Sequence, residues 1–190
     1  MDRKNSGAER SKKCLADALF SLMKTRPFGD ISITDIAREA DYTRQTFYQH
    51  FSTKEDALLY YLDDLFDREY RDSLSAAAYQ DGEELLRVVC VKAMQLFWGA
   101  HSDLAEVIMD NHLSTLLVEA LVRYWSIVFQ DASVPIPLDR YSEEEKQLIF
   151  RYISGGPFHM FYYWIRTDRQ YDEEKLQQLL IDLLKPLFVE

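Results

Sequence analysis

Apolar residues recur along this chain at intervals of three and four, and the strict alternation expected of strands is nearly absent. The pattern predicts an all-α protein of about nine helices. In the first, from about Ala8 to Lys24, Cys14, Leu15, Ala18, Leu19, Leu22 and Met23 share one face. Arg26-Pro27-Phe28-Gly29-Asp30 ends it, because Pro and Gly stop helices and make turns. Ser32 then caps a short helix with Asp35 as the return partner, and Ile33, Ile36, Ala37 and Ala40 face inward. After a tight turn at Asp41-Tyr42, Thr43 caps a second short helix that ends near His50, with Phe47 and Phe51 turned inward. Thr53, closed by Asp56, starts a long helix running to about Ala78.

Beyond a break at Gln80-Asp81-Gly82, helices are expected over about 83–99, 102–111 and 113–130, followed by a loop over 131–141 with Pro135 and Pro137. Ser142, with Glu145 three residues on, caps a helix to about Thr167 that contains Gly155-Gly156-Pro157. Pro there removes one backbone bond and bends the helix, and the glycines let another helix come close. The last helix, about 172–189, carries Leu176, Leu179, Leu180, Leu183, Leu184 and Leu187, the strongest apolar stripe in the chain.

The segment Ser32 to Lys54 is therefore two short capped helices joined by a tight turn and followed by a third capped helix, which is helix-turn-helix geometry. Such a unit sets the start of its second helix against base edges in the major groove. That helix opens with Thr43, Arg44, Gln45 and Thr46, and Tyr48, Gln49 and His50 follow on the side expected to be exposed. Arg can take guanine bidentately, Gln can take adenine, and Thr offers a hydroxyl and a methyl. The helix starts at Ser32 and Thr53 present free N–H groups suited to phosphate, and Lys54 adds a charge. The chain divides into a helix-turn-helix domain over 1–55 and a helical bundle over 56–190.

Net charge changes this picture only when it is resolved along the chain. The total is −10, unfavourable for binding a polyanion. Residues 1–55, however, hold 10 Lys/Arg against 8 Asp/Glu, and residues 56–190 hold 12 against 24. The acidity lies in the bundle. Cys14 and Cys90 are isolated, with no metal-type spacing, and read as reduced thiols. The polar start MDRKNSGAERSKK does not read as an export signal, and no stretch approaches the ~20 apolar residues of a membrane span. A cytoplasmic protein without cofactor or metal is expected.

The segment resembles the tetracycline-repressor (TetR) family of regulators. The matching residues are Phe28, Ile33-Thr34-Asp35-Ile36-Ala37, Ala40, and Thr43-Arg44-Gln45-Thr46-Phe47-Tyr48-Gln49-His50-Phe51 followed by Lys54-Glu55. The resemblance is specific over about residues 8–60; beyond it only helix number and lengths agree. It implies a three-helix DNA-binding head, a long fourth helix as connector, a ligand-sensing helical body, and a homodimer formed through the last two helices. Carried over by motif position, Ser32, Thr43, Tyr48 and Lys54 look like phosphate contacts, and Thr34, Arg44, Gln45, Thr46 and Gln49 like base or groove contacts. Two positions depart from the pattern. Asp41 stands where the family usually has Gly, and Asp tolerates the left-handed conformation. Gln45 replaces a common small residue, which bears on the target sequence rather than on binding.

In the body, Phe66, Phe97, Trp98, Met109, Trp125, Phe129, Phe158 and Tyr162 are candidates to line an effector cavity. Ile153, Gly156, Met160, Leu176, Leu180, Leu183 and Leu187 are candidates for an isologous dimer interface. His101, Asp103, Glu106, Asp110 and His112 gather around one short helix, where a solvated acidic face is favoured over a metal site, and His159 reads as a core histidine. No Ser-His-Asp set, HExxH, phosphate loop or catalytic carboxylate pair stands out, so an enzyme is not expected. The sequence thus points to a transcription regulator acting as a homodimer on near-palindromic double-stranded operator DNA under a small-molecule effector. Repression is the leading expectation. An activator of the same family, or a helical adaptor that binds only protein, are the alternatives; an adaptor would not need Arg44, Gln45 and Thr46 at the head of a capped helix.

Overall fold

The computed structural model describes residues 3–74, 84, 86–88, 102–128 and 140–188, and among them it contains helices and no strand. In chain order these are α1 (Arg3–Met23), a 3-10 turn (Phe28–Asp30), α2 (Ile33–Glu39), α3 (Arg44–His50), α4 (Lys54–Leu74), α5 (Ser102–Asp110), α6 (Ser114–Val128), α7 (Glu143–Arg166) and α8 (Glu173–Phe188). The helix expected over 83–99 lies almost wholly outside the described residues.

The chain forms two compact units: a head of Met1–Phe66 with Val107–Ala120, and a body of Asp67–Glu106 with Leu121–Glu190. The head thus reaches past the expected boundary at residue 55 and takes in a distant segment.

The head is built on one apolar core. Leu15, Leu19, Phe20 and Met23 of α1 are buried, as are Phe28, Ile31, Ile36, Ala37, Phe47 and Phe51 from the turn and the two short helices. Ala57, Leu58, Leu62, Leu65 and Phe66 contribute the inner face of α4. Helix α1 packs on both α2 and α3, which pack on each other. Helices of seven residues are too short to be stable alone, so α2 and α3 depend on this packing and on their caps. Between α1 and α4, Phe20 stacks on Tyr61 at 4.4 Å, Lys13 pairs with Asp64, and the Tyr60 hydroxyl donates to Glu9 at 2.6 Å. Burial and the adjacent Glu9 carboxylate push the Tyr60 phenol well above its ordinary pKa, so it remains a donor.

In the body, α7 buries Phe150, Ile153, Ser154, Phe158, Phe161 and Trp164, and α8 buries Leu176, Leu180, Ile181 and Leu184. The Ser154 hydroxyl donates to the Phe150 carbonyl at 2.6 Å, which removes the cost of burying it unpaired. Helix α7 starts at the expected Ser142–Glu145 capping box. The hydrogen bonds from Ser142 hold the Glu145 carboxyl below its usual range. The helix ends where Asp168 and Arg169 turn left-handed, at φ 53° and 56°, and the Trp164 indole N–H donates to the Tyr171 carbonyl across that turn.

Three expectations for the body need correction. Ile153, Leu176 and Leu180 are core residues of the subunit, 2–5% exposed, because α7 and α8 each bury one side within the chain. They cannot form an outer interface as they stand. His159 is exposed rather than buried. The Leu stripe of α8 is split between two surfaces, with Leu179 and Leu183 facing out at 41% and 46%.

Candidate nucleic-acid interface

The caps that set α2, α3 and α4 are formed by the residues expected to form them. The Ser32 hydroxyl accepts from the Asp35 N–H at 3.1 Å, while the Asp35 carboxylate accepts from the Ser32 N–H at 3.1 Å. The Ser32 hydroxyl, which also donates to the Asp35 carboxylate at 2.6 Å, and then the Ser32 N–H hold that carboxyl below its ordinary pKa, with Arg26 and Arg38 adding to the effect. Thr43 caps α3 through the Thr46 N–H at 3.1 Å, and the two threonine hydroxyls hydrogen-bond at 2.9 Å. Thr53 and Asp56 close a reciprocal box at α4, with 2.8 Å and 3.1 Å bonds.

The turn between α2 and α3 is equally local. Asp41 sits at φ 58°, the Tyr42 N–H reaches the Ala37 carbonyl at 2.8 Å, and the Asp41 N–H reaches that of Arg38 at 3.2 Å. This six-to-one and five-to-two pair is a Schellman closure, whose left-handed residue is usually Gly. Asp therefore holds the turn in place of Gly, as expected.

These constraints leave one polar face open. Arg44, Gln45, Tyr48 and Gln49 are exposed, at spacings of one and four that bring them to one side of α3. Arg44 lies over the Tyr48 ring at 5.9 Å, so each restricts the other's freedom. Ser32, Thr34 and Thr43 are also exposed, and Thr46 is half-buried against its cap. Phe47, between the open residues, is fully buried and anchors the helix by its opposite side.

Two residues expected at this face are used inside the head. The Lys54 ammonium donates to the Phe28 carbonyl and, at 3.0 Å, to that of Ile31; it also sits 4.3 Å from the centre of the Phe28 ring. Its charge holds the loop before α2. His50 is half-buried, with Nε2 at 2.7 Å from the Ser11 hydroxyl. That hydroxyl is already donated to the Ala8 carbonyl at 2.9 Å, so His50 is the donor and ties the end of α3 to α1.

One contributor was missed by the sequence reading. Asn111 Oδ1 accepts the Phe28 N–H, and Asn111 Nδ2 donates to the Val107 carbonyl at 2.7 Å. Phe28 is thus held at its N–H by Asn111 and at its C=O by Lys54. The local signal was an α5 end at Asn111-His112, where His112 is left-handed at φ 58°; the partner, Phe28, lies 83 residues away in sequence.

The candidate effector residues are divided. Phe66 and Met109 belong to the head, buried and half-buried; Trp125 and Phe158 are buried in the body and Tyr162 is half-buried there. Phe97, Trp98 and Phe129 lie outside the described residues, as does His101. Among the described residues no group of three or more His, Cys, Asp or Glu side chains could hold a metal ion. No described helix is long and apolar enough to cross a membrane.

Residues 15–60 match the model of the tetR family of bacterial regulatory proteins. Over these residues the chain is similar to that family. Over 63 residues it is 41% identical to the HTH-type transcriptional regulator EthR of Mycolicibacterium smegmatis, covering 33% of this chain and 29% of that one. Over 88 residues it is 30% identical to the dhaKLM operon transcriptional activator DhaS of Lactococcus lactis, covering 46% of each. The matches thus span less than half of these relatives. The fold is similar to that of the fatty acid degradation regulator FadR of Bacillus halodurans, at TM-score 0.54 and 19% identity over 91% of this chain and 93% of that one. The FadR of Bacillus subtilis, solved with stearoyl-CoA, gives TM-score 0.51 and 20% identity over 90% and 96%. At these identities the likeness is one of fold.

Proposed function

We propose that this protein is a transcription repressor that binds a near-palindromic operator as a homodimer and responds to a small molecule in its body. The observation that carries the reading is the open face of α3. Arg44, Gln45, Tyr48 and Gln49 stand exposed on a helix capped at its start and anchored through Phe47. Arg and Gln offer the bidentate donors that read guanine and adenine, while Ser32, Thr43 and the N–H groups at the starts of α2 and α4 are suited to phosphate. Residues 1–55 carry a small cationic excess, 10 Lys/Arg against 8 Asp/Glu, while residues 56–190 carry the acidity, which favours approach to DNA through α1 to α3.

Two heads are needed to read two half-sites about one DNA turn apart. Large apolar residues exposed on α7 and α8, among them Leu148, Tyr152, Tyr163, Leu179 and Leu183, supply a surface for the second copy. An effector acts by favouring one spacing of the two heads through its differential affinity for the two states. The chain passes between head and body within α4, α5 and α6, so these are the segments through which such a change is transmitted.

The test is binding of the protein to DNA from its own promoter region across a salt series. Site-specific binding with a steep salt dependence is expected. Binding to no promoter fragment, with the head folded, would favour the protein-binding adaptor.

A further inference from the structure

The Asp35 carboxylate sits between two arginines. Arg38 Nη2 donates to its Oδ1 at 2.7 Å, and Arg26 Nη1 lies 3.8 Å from its Oδ2. The same Oδ2 accepts the Ser32 N–H at 3.1 Å and the Ser32 hydroxyl at 2.6 Å. The cap of α2 is thus complete without either arginine. The Asp35 side chain is 18% exposed and that of Arg38 75%. An ion pair with one partner this open to water adds little to stability, so the fold of the head gains little from Arg38.

What the pair does is fix where the guanidinium stands. A helical side chain leans toward the helix N-terminus and covers the turn before its own Cα. Arg38 does so, reaching back along α2 to the carboxylate of the first turn. It shares that side of the helix with Thr34, four residues earlier and about 40° round, and both are exposed. Glu39 is exposed too, but one position on it faces some 100° away. In a helix-turn-helix the second helix enters the major groove and the first crosses the DNA backbone. The open side of α2 is then the side that meets phosphates. Thr34 is neutral there, and Ser32 has given its one hydroxyl proton to Asp35. Arg38 gives Asp35 one N–H of the five a guanidinium carries. Two arginines around one carboxylate leave the cluster net positive.

We propose that Arg38 takes a phosphate of the operator backbone, with Asp35 holding its guanidinium on the open side of α2. The inference rests on the DNA-binding reading of α3 and adds to it a charged contact from α2. The planar fork presents more than one edge, so Arg38 keeps its bond to Asp35 while other N–H groups make charge-assisted bonds to a phosphate oxygen. Such a contact fixes the register of the head on the duplex and carries no sequence information.

The experiment uses the full chain and a fragment of its own promoter region, titrated across a salt series. Arg38→Ala is expected to weaken binding about three- to ten-fold on every sequence and to reduce the slope of log K against log salt by about one for each head bound. Base preferences and the melting temperature of the head should stay nearly unchanged. Arg38→Lys keeps the charge, so it is expected to keep the slope, with a smaller loss of affinity for the missing fork. Replacing operator phosphates one at a time by uncharged methylphosphonate should find one position per half-site at which Arg38→Ala causes no further loss. Specific binding whose affinity and slope Arg38→Ala leaves unchanged, or in which no phosphate is coupled to Arg38, overturns this contact while the reading of α3 stands. A changed base preference at one position would assign Arg38 to a base and overturns it as well. A folded protein that binds no promoter fragment overturns the reading of α3 and this contact with it.

Discussion

Two of the described helices, α3 and α7, leave faces open to solvent that differ in kind. On α3 the open residues are polar and are held in place from within the head, by the Thr43 cap, the buried Phe47 and the ring of Tyr48 beneath Arg44. On α7 they include three large side chains, Leu148, Tyr152 and Tyr163, among charged ones such as Glu145, Arg151 and Arg166. A preorganised polar face suits a ligand read by hydrogen bonds, since little freedom remains to be lost on binding. The comparison sets a polar face held from within the chain against one that leaves large side chains in water.

The sharpest break between structure and reading should fall between two neighbours on α3. Phe47→Ala removes a fully buried ring at the centre of the head and is expected to cost about 3–5 kcal/mol, seen as a fall in the head's melting temperature by circular dichroism. Tyr48→Ala, one residue on and 51% exposed, should leave that temperature nearly unchanged while weakening DNA binding. Equal destabilisation by both would show that α3 has no open face.

Next in size is Arg44→Ala, expected to cost about 1–3 kcal/mol per half-site, roughly 5- to 150-fold in affinity, and to relax base preference at one position. Titrations against operators substituted base by base measure it. A uniform loss across all sequences would reassign Arg44 to phosphate.

Much of this head could be read in the sequence because its decisive contacts are local. The caps at Ser32, Thr43 and Thr53 each join residues three apart, and the Asp41 turn closes over six residues. Contacts between distant segments had no such signal. Nothing near Lys54 shows that its charge is used on the Phe28 and Ile31 carbonyls, and nothing near Phe28 points to Asn111. On α8, six leucines spread over too wide an arc for periodicity to tell which would be buried in the chain. The outward residues of α7 were hidden for a related reason: Leu148, Tyr152 and Tyr163 have core-type chemistry, yet the structure leaves them exposed.

The bracket around Phe28 gives a comparison of smaller effect. Asn111→Ala leaves the Phe28 N–H without its acceptor and is expected to cost the head about 1–3 kcal/mol. The Phe28 amide should exchange faster with solvent deuterium. Lys54→Met keeps the apolar stem over the Phe28 ring but removes the charge, at an expected cost of about 1 kcal/mol. Since that charge is spent on carbonyls, the salt dependence of DNA binding should keep its slope. A slope reduced by about one would return Lys54 to the phosphate backbone.

The smallest effect concerns the start of α2. The bonds from Ser32 lower the Asp35 pKa below its ordinary value of 3.8. A carboxyl whose pKa is lower folded than unfolded binds protons more readily in the unfolded state, so acid favours unfolding. Its contribution is therefore fully present above 3.8 and is lost as pH falls through the lower folded value. Asp35→Asn cannot lose a charge it does not carry. Melting temperatures of the two proteins should differ by a constant amount from neutrality to about pH 5 and converge in stronger acid. Parallel curves at every pH would mean that the charge of Asp35 contributes nothing to the head, and that the Ser32 box stabilises α2 through its neutral hydrogen bonds alone.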